Sequence, residues 1–161
     1  MRNFLLTLIA IFFASCSSDN VILAEPTSDN EIKKENKETA NAMTINITID
    51  NETREVTLVD NVATQALSAK LKESPITMSL NTNGNFEIWG SLGFSLPTAN
   101  EYINGQPGDV VLYSGSNICI FYGTNSYSYT RLGKIDGLSA DELKTFLKGG
   151  QNNITIKLSL P

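Results

Sequence analysis

The chain has 161 residues, room for one ordinary domain and a tail, and its 41% hydrophobic content allows a real core. A formal charge of −5 gives no basic footprint for nucleic acid. The complete lack of histidine removes the commonest general base, the commonest neutral metal ligand and every Ser-His or Cys-His nucleophile pair. Any reaction here has to run on carboxylates, tyrosine, lysine or arginine.

Met1 to Ser15 carries Arg2 and then an apolar run from Phe4 to Phe13, too short to span a bilayer and ordered as a secretory signal. The run ends Phe13-Ala14-Ser15-Cys16, similar to a bacterial lipobox, which makes Cys16 the expected lipidated first residue of the mature chain. Residues 16–43 are rich in Ser, Asn, Lys, Glu and Thr and lack aliphatic periodicity, so they read as a flexible tether. The expected setting is a cell-envelope lipoprotein, exported and held at a membrane through Cys16. With Cys16 acylated, Cys119 has no disulfide partner, and within Asn117-Ile118-Cys119-Ile120-Phe121 it reads as a small core hydrophobe.

The folded domain is expected over residues 44–161. Ile45, Ile47 and Ile49 alternate with polar residues, Asp50-Asn51 turns the chain, and Arg54, Val56 and Leu58 continue the pattern, predicting a hairpin. Asp60 or Asn61 caps a helix from Val62 that Pro75 stops, with Ala63, Ala66, Leu67 and Leu71 on one face. Ile76–Leu80 and Asn85–Trp89 are predicted strands joined through Asn83-Gly84, with Phe86 and Ile88 inward and Glu87 and Trp89 outward. Phe94 to Gln106 reads as irregular, marked by Ser95-Leu96-Pro97 and Asn104-Gly105. Gly108 to Ile135 holds two strands about a Ser-Gly-Ser-Asn turn, then a polar aromatic segment entering a third. Ser139 and Glu142 match a capping box for a short helix, and Ile154, Ile156, Leu158 and Leu160 close the chain as a last strand. The sum is mainly β: a small closed barrel with two short helices and no internal repeat.

The runs Gly108-Asp109-Val110-Val111-Leu112-Tyr113, Asn117 to Tyr122 and Ser126-Tyr127-Ser128-Tyr129-Thr130-Arg131-Leu132-Gly133-Lys134-Ile135 resemble the bacterial cyclophilin-like domain family. The likeness extends over roughly Thr44 to Leu160. It implies a cyclophilin-type β-barrel, and it implies no reaction, since the family is grouped by fold. True cyclophilins place an arginine beside an apolar proline pocket together with a histidine. Of these, this chain offers only an arginine, Arg131.

With Leu132 facing the core, alternation turns Tyr127, Tyr129 and Arg131 to the outer wall, a surface able to stack and to clamp a carbonyl or carboxylate. Trp89 and Tyr122 are candidate additions. The competing reading is scaffold: the row packs under the Phe94–Gly108 segment and Arg131 pairs with Asp109 or Glu87. Asp50, Glu52, Glu55 and Asp60 form a solvated face, so neither metal nor cofactor is expected. These features point to a non-catalytic module for a peptide or small ligand. The alternatives are a cell-envelope peptidyl-prolyl isomerase using Arg131 and neighbouring aromatics, which needs no proton transfer, and a rigid subunit of an envelope complex.

Overall fold

The computed structural model of the chain describes residues 43–161. The expected signal segment, Cys16 and the polar stretch as far as residue 42 lie outside the described residues.

Alternation in TINITI sends Ile45, Ile47 and Ile49 to one buried face of strand β1 (Thr44–Ile49), which pairs antiparallel with β2 (Glu52–Leu58). Helix α1 (Val62–Glu73) begins at Asn61, whose side-chain oxygen accepts the backbone N–H groups of Ala63 and Thr64. Thr64 completes the capping box, and Ala63, Leu67 and Leu71 enter the core. β3 (Ile76–Asn83) and β4 (Glu87–Ser91) form a hairpin about Gly84, whose φ of 57° suits glycine. Next come β5 (Glu101–Gly105), β6 (Asp109–Tyr113), β7 (Asn117–Phe121) and β8 (Asn125–Lys134). Helix α2 (Ala140–Phe146), with the Ser139–Glu142 capping box in place, and β9 (Ile154–Ser159) complete the chain.

Neighbouring strands run in the order β2-β1-β9-β3-β4-β7-β6-β8, and β2 pairs back with β8 through Thr57↔Lys134 and Leu58↔Gly133. The ring is therefore closed, which removes the exposed edges an open sheet would present. Its interior holds Ile45, Val56, Leu80, Ile88, Leu112, Ile120, Leu132 and Ile156 in one cluster with the buried faces of both helices.

β5 was not foreseen. It lies outside the ring and pairs only with the first half of β8, from Glu101↔Tyr129 to Gly105↔Asn125. The second half of β8 pairs with β6 and β2 in the wall. β8 is thus half wall and half arm. The arm folds over the outside of β6 and β7 and covers a second, smaller cluster: Ile103, Val111, Cys119, Phe121 and Tyr129. Phe86 also departs from expectation. It precedes β4 rather than lying in it and packs against this outer cluster, while its carbonyl accepts the N–H groups of Tyr122 and Gly123, both at 2.8 Å.

Candidate ligand-binding site

On β4, Ile88 enters the barrel, so Glu87 and Trp89 on either side of it project to the outer face. Register sets Trp89 opposite Cys119 and Glu87 opposite Phe121 on β7, with Asn83 of β3 beside Glu87. Tyr113 ends β6, and Asn125, Tyr127 and Tyr129 descend from the arm. Together Asn83, Glu87, Trp89, Tyr113, Cys119, Asn125, Tyr127 and Tyr129 line a cavity of about 320 Å³ between arm and wall. Such a volume lies at the small end of ligand pockets.

Aromatic rings build its sides. Tyr113, Tyr127 and Tyr129 pack edge to face, with centroids 5.7–6.0 Å apart, and Tyr129 leans in the same manner on Phe121 at 5.7 Å. Tyr129 is 4% exposed, whereas Tyr127 at 52% and Trp89 at 37% remain open to an incoming group. Asn125 donates its amide N–H to the Tyr129 hydroxyl at 2.9 Å, which leaves that hydroxyl's own proton free to donate elsewhere.

The base of the cavity is chemically unusual. Glu87 is 3% exposed; Oε1 accepts from Asn83 Nδ2 at 2.7 Å, and the buried Oε2 has no N–H or O–H partner among the described residues. Burial pushes its carboxyl above the ordinary range, against the pull of the Asn83 amide and, more weakly, of the Cys119 thiol. Burial, then the nearby Glu87 charge, likewise raises the Cys119 thiol far above its usual range, so this cysteine is a poor nucleophile. The same two causes, in that order, push the Tyr129 phenol up to about 12.

These shifts carry a stability prediction. The unfolded carboxylate titrates near 4.5 and the folded one higher, so across that interval the folded state binds more protons. Stability from this group is therefore highest at acid pH and falls as pH rises. The groups close enough to feel Glu87 are the Asn83 amide, the Cys119 thiol and the Tyr122 and Tyr129 phenols, none of them cationic. Glu87→Gln is expected to raise stability at pH 7.5 by roughly 1 kcal/mol, about 4 °C in a domain of this size, and to flatten the fall in stability that sets in as pH rises from 4.5. Thermal unfolding of both proteins at a series of pH values checks this, and a lower melting temperature at pH 7.5 would overturn it.

Three of the five aromatic and basic candidates read from the sequence, Trp89, Tyr127 and Tyr129, meet in the cavity. Arg131 does not line it. Its guanidinium joins Glu101 of β5 at 2.9 Å and Asp109 of β6 at 3.7 Å, fastening the arm to the wall. Tyr122 does not line it either: it lies in the barrel's main cluster beneath Lys144. Sequence reasoning missed Glu87, Asn83, Tyr113 and Asn125, and it placed Cys119 only as core. A signal was present. Val110-Val111-Leu112 and Ile118-Cys119-Ile120-Phe121 are unbroken apolar runs, the mark of strands covered on both faces.

A closed antiparallel ring with its cavity on the outer wall defines the class as a cyclophilin-like barrel. The model of the cyclophilin-like family matches residues 47–159, and the chain belongs to that family. No curated protein matches the chain. The solution structure of a hypothetical protein from Archaeoglobus fulgidus is similar at a TM-score of 0.56 and 20% identity, covering 74% of this chain and 95% of that one. This likeness is one of fold alone.

Proposed function

We propose that the domain is a non-catalytic binding module that takes a small ligand or a peptide side chain in the outer-wall cavity, on a chain exported and anchored through a lipid on Cys16. One observation carries the binding reading: Glu87, a buried carboxylate with one oxygen unpartnered among the described residues, lines a cavity walled by tyrosine and tryptophan. Leaving such an oxygen unpaired is costly in a structural role, and a bound donor would remove the cost. The isomerase reading draws less support, because it needs the Arg131 guanidinium at a ligand and that group is engaged by Glu101 and Asp109.

Trp89 is the only tryptophan of the chain, so its fluorescence reports on this cavity alone. A fragment set of neutral, anionic and cationic members is expected to yield ligands that shift the Trp89 emission. Tyr127→Ala, at an exposed position, should weaken them about tenfold, while Arg131→Gln should leave affinity within about twofold because it acts on the scaffold. If no fragment perturbs Trp89, or if the protein accelerates prolyl isomerisation, the binding reading gives way.

The order of Arg2, an apolar run and Cys16 supports the anchored setting. In a bacterial host the full chain is expected in the membrane fraction, and Cys16→Ser is expected to move it out of that fraction. Equal partition of the two proteins would remove the anchor.

A further inference from the structure

Resting on the binding reading above, we infer that the cavity selects an organic ammonium ion bearing at least one N–H, such as an alkylamine or a lysine-type side chain. Glu87 is the sole charged side chain among the lining residues, and no cation faces it from any of the strands that form the cavity. The cations on the adjacent wall are committed elsewhere: Arg131 to Glu101 and Asp109, and Lys134 to Asp109 at 4.0 Å. An anion entering this space would meet an unbalanced carboxylate.

The vacant acceptor is specific in what it asks for. Asn83 already serves Oε1 and the Cys119 thiol is only a weak donor to the carboxylate, so Oε2 takes a stronger donor, which an N–H supplies and a quaternary ammonium does not. Charge makes that bond about twice as strong as a neutral one. The aromatic walls suit the rest of such a ligand. Trp89 stands two residues from Glu87 on the same face of β4, about 7 Å along the strand. Indole is the strongest cation–π partner, and among the described residues Trp89 stacks with no other ring, whereas the three tyrosines are occupied edge to face with one another. A primary ammonium between Oε2 and the indole would use both, with its carbon chain against the tyrosines.

The test titrates n-butylammonium, tetramethylammonium, 1-butanol and butyrate into the folded protein at fixed ionic strength, following Trp89 fluorescence. n-Butylammonium is expected to bind at least about tenfold more tightly than the other three. Glu87→Gln, whose fold is checked by thermal unfolding, should bring n-butylammonium and 1-butanol to similar affinity. The comparison of the four probes on the unaltered protein stands even if that variant does not fold. Equal binding of 1-butanol and n-butylammonium overturns the ammonium inference and leaves the binding module standing. Silence of all four probes, with other fragments still shifting Trp89, also overturns it. Silence of every fragment removes the binding reading as well.

Discussion

Phe121→Ala is expected to destabilise the domain by about 3–5 kcal/mol and to abolish binding in the outer cavity. Phe121 is fully buried, but on the outside of the barrel, and it is the piece on which the arm rests. Its ring meets Phe86 at 6.1 Å and Tyr129 at 5.7 Å. Gly105 of β5 lies so close above it that a Cβ there would stand 2.6 Å from the ring. Removing the ring leaves a void under both strands of the arm, and the arm has no second apolar layer with which to fill it. In a domain of this size the melting temperature should fall by roughly 10 °C or more. Hydrogen exchange separates this loss from a general one: amides of the β5–β8 pairing should lose protection beyond the global change, while those of β1 and β9 should follow the global change alone. Uniform loss across both sets would mean that the arm and the barrel open as one unit.

This two-layer construction explains which parts of the molecule were legible in the sequence. Strands covered on one face announce themselves: Ile45, Ile47 and Ile49, and again Ile154, Ile156 and Leu158, alternate cleanly and lie in the barrel interior. The capping residues Asn61 and Ser139 were equally plain, because cap chemistry is local. β5 was hidden for the opposite reason. Only Ile103 and Gly105 of Glu-Tyr-Ile-Asn-Gly are buried, and the strand exists because β8 is long enough to pair beyond the wall. No local pattern records that length. The outward turn of Tyr127 and Tyr129 followed from alternation against Leu132. The same rule applied to β7 sends Tyr122 inward after Ile118 and Ile120, where the structure has it. Glu87 was legible as outward and illegible as buried, since what covers it comes from β8, nearly forty positions further on. Sidedness is a local property of a strand. Burial of its outer side depends on chain that returns from far away.

Gly133→Ala is expected to cost about 3 kcal/mol, a large effect for one methyl group at an ordinary φ. The position lies where the ring closes. β2 and β8 share only the pairs Thr57↔Lys134 and Leu58↔Gly133, supported by the bond from the Val59 N–H to the Leu132 carbonyl at 3.0 Å. A Cβ on residue 133 would stand 2.3 Å from the Thr57 carbonyl oxygen and 3.1 Å from the Leu58 Cα. Both are backbone atoms of the facing strand, so no side chain can swing aside, and the strands must separate at the shortest seam of the barrel. Next to it, β8 carries a bulge: Val110 faces Gly133 while Val111 faces Arg131, so the wall cannot slide to compensate without turning Arg131 away from Glu101 and Asp109. Gly137→Ala is the matched control. Its φ of 79° strains any side chain, yet nothing lies within 4 Å of the added carbon. That variant should cost about 1 kcal/mol, measured like the first by denaturant unfolding. If Gly133→Ala costs no more than Gly137→Ala, the seam yields freely and the ring is not held shut at this point. A cost near 3 kcal/mol, together with weaker ligand response at Trp89, would show that closing the barrel also sets the arm that covers its outer cavity.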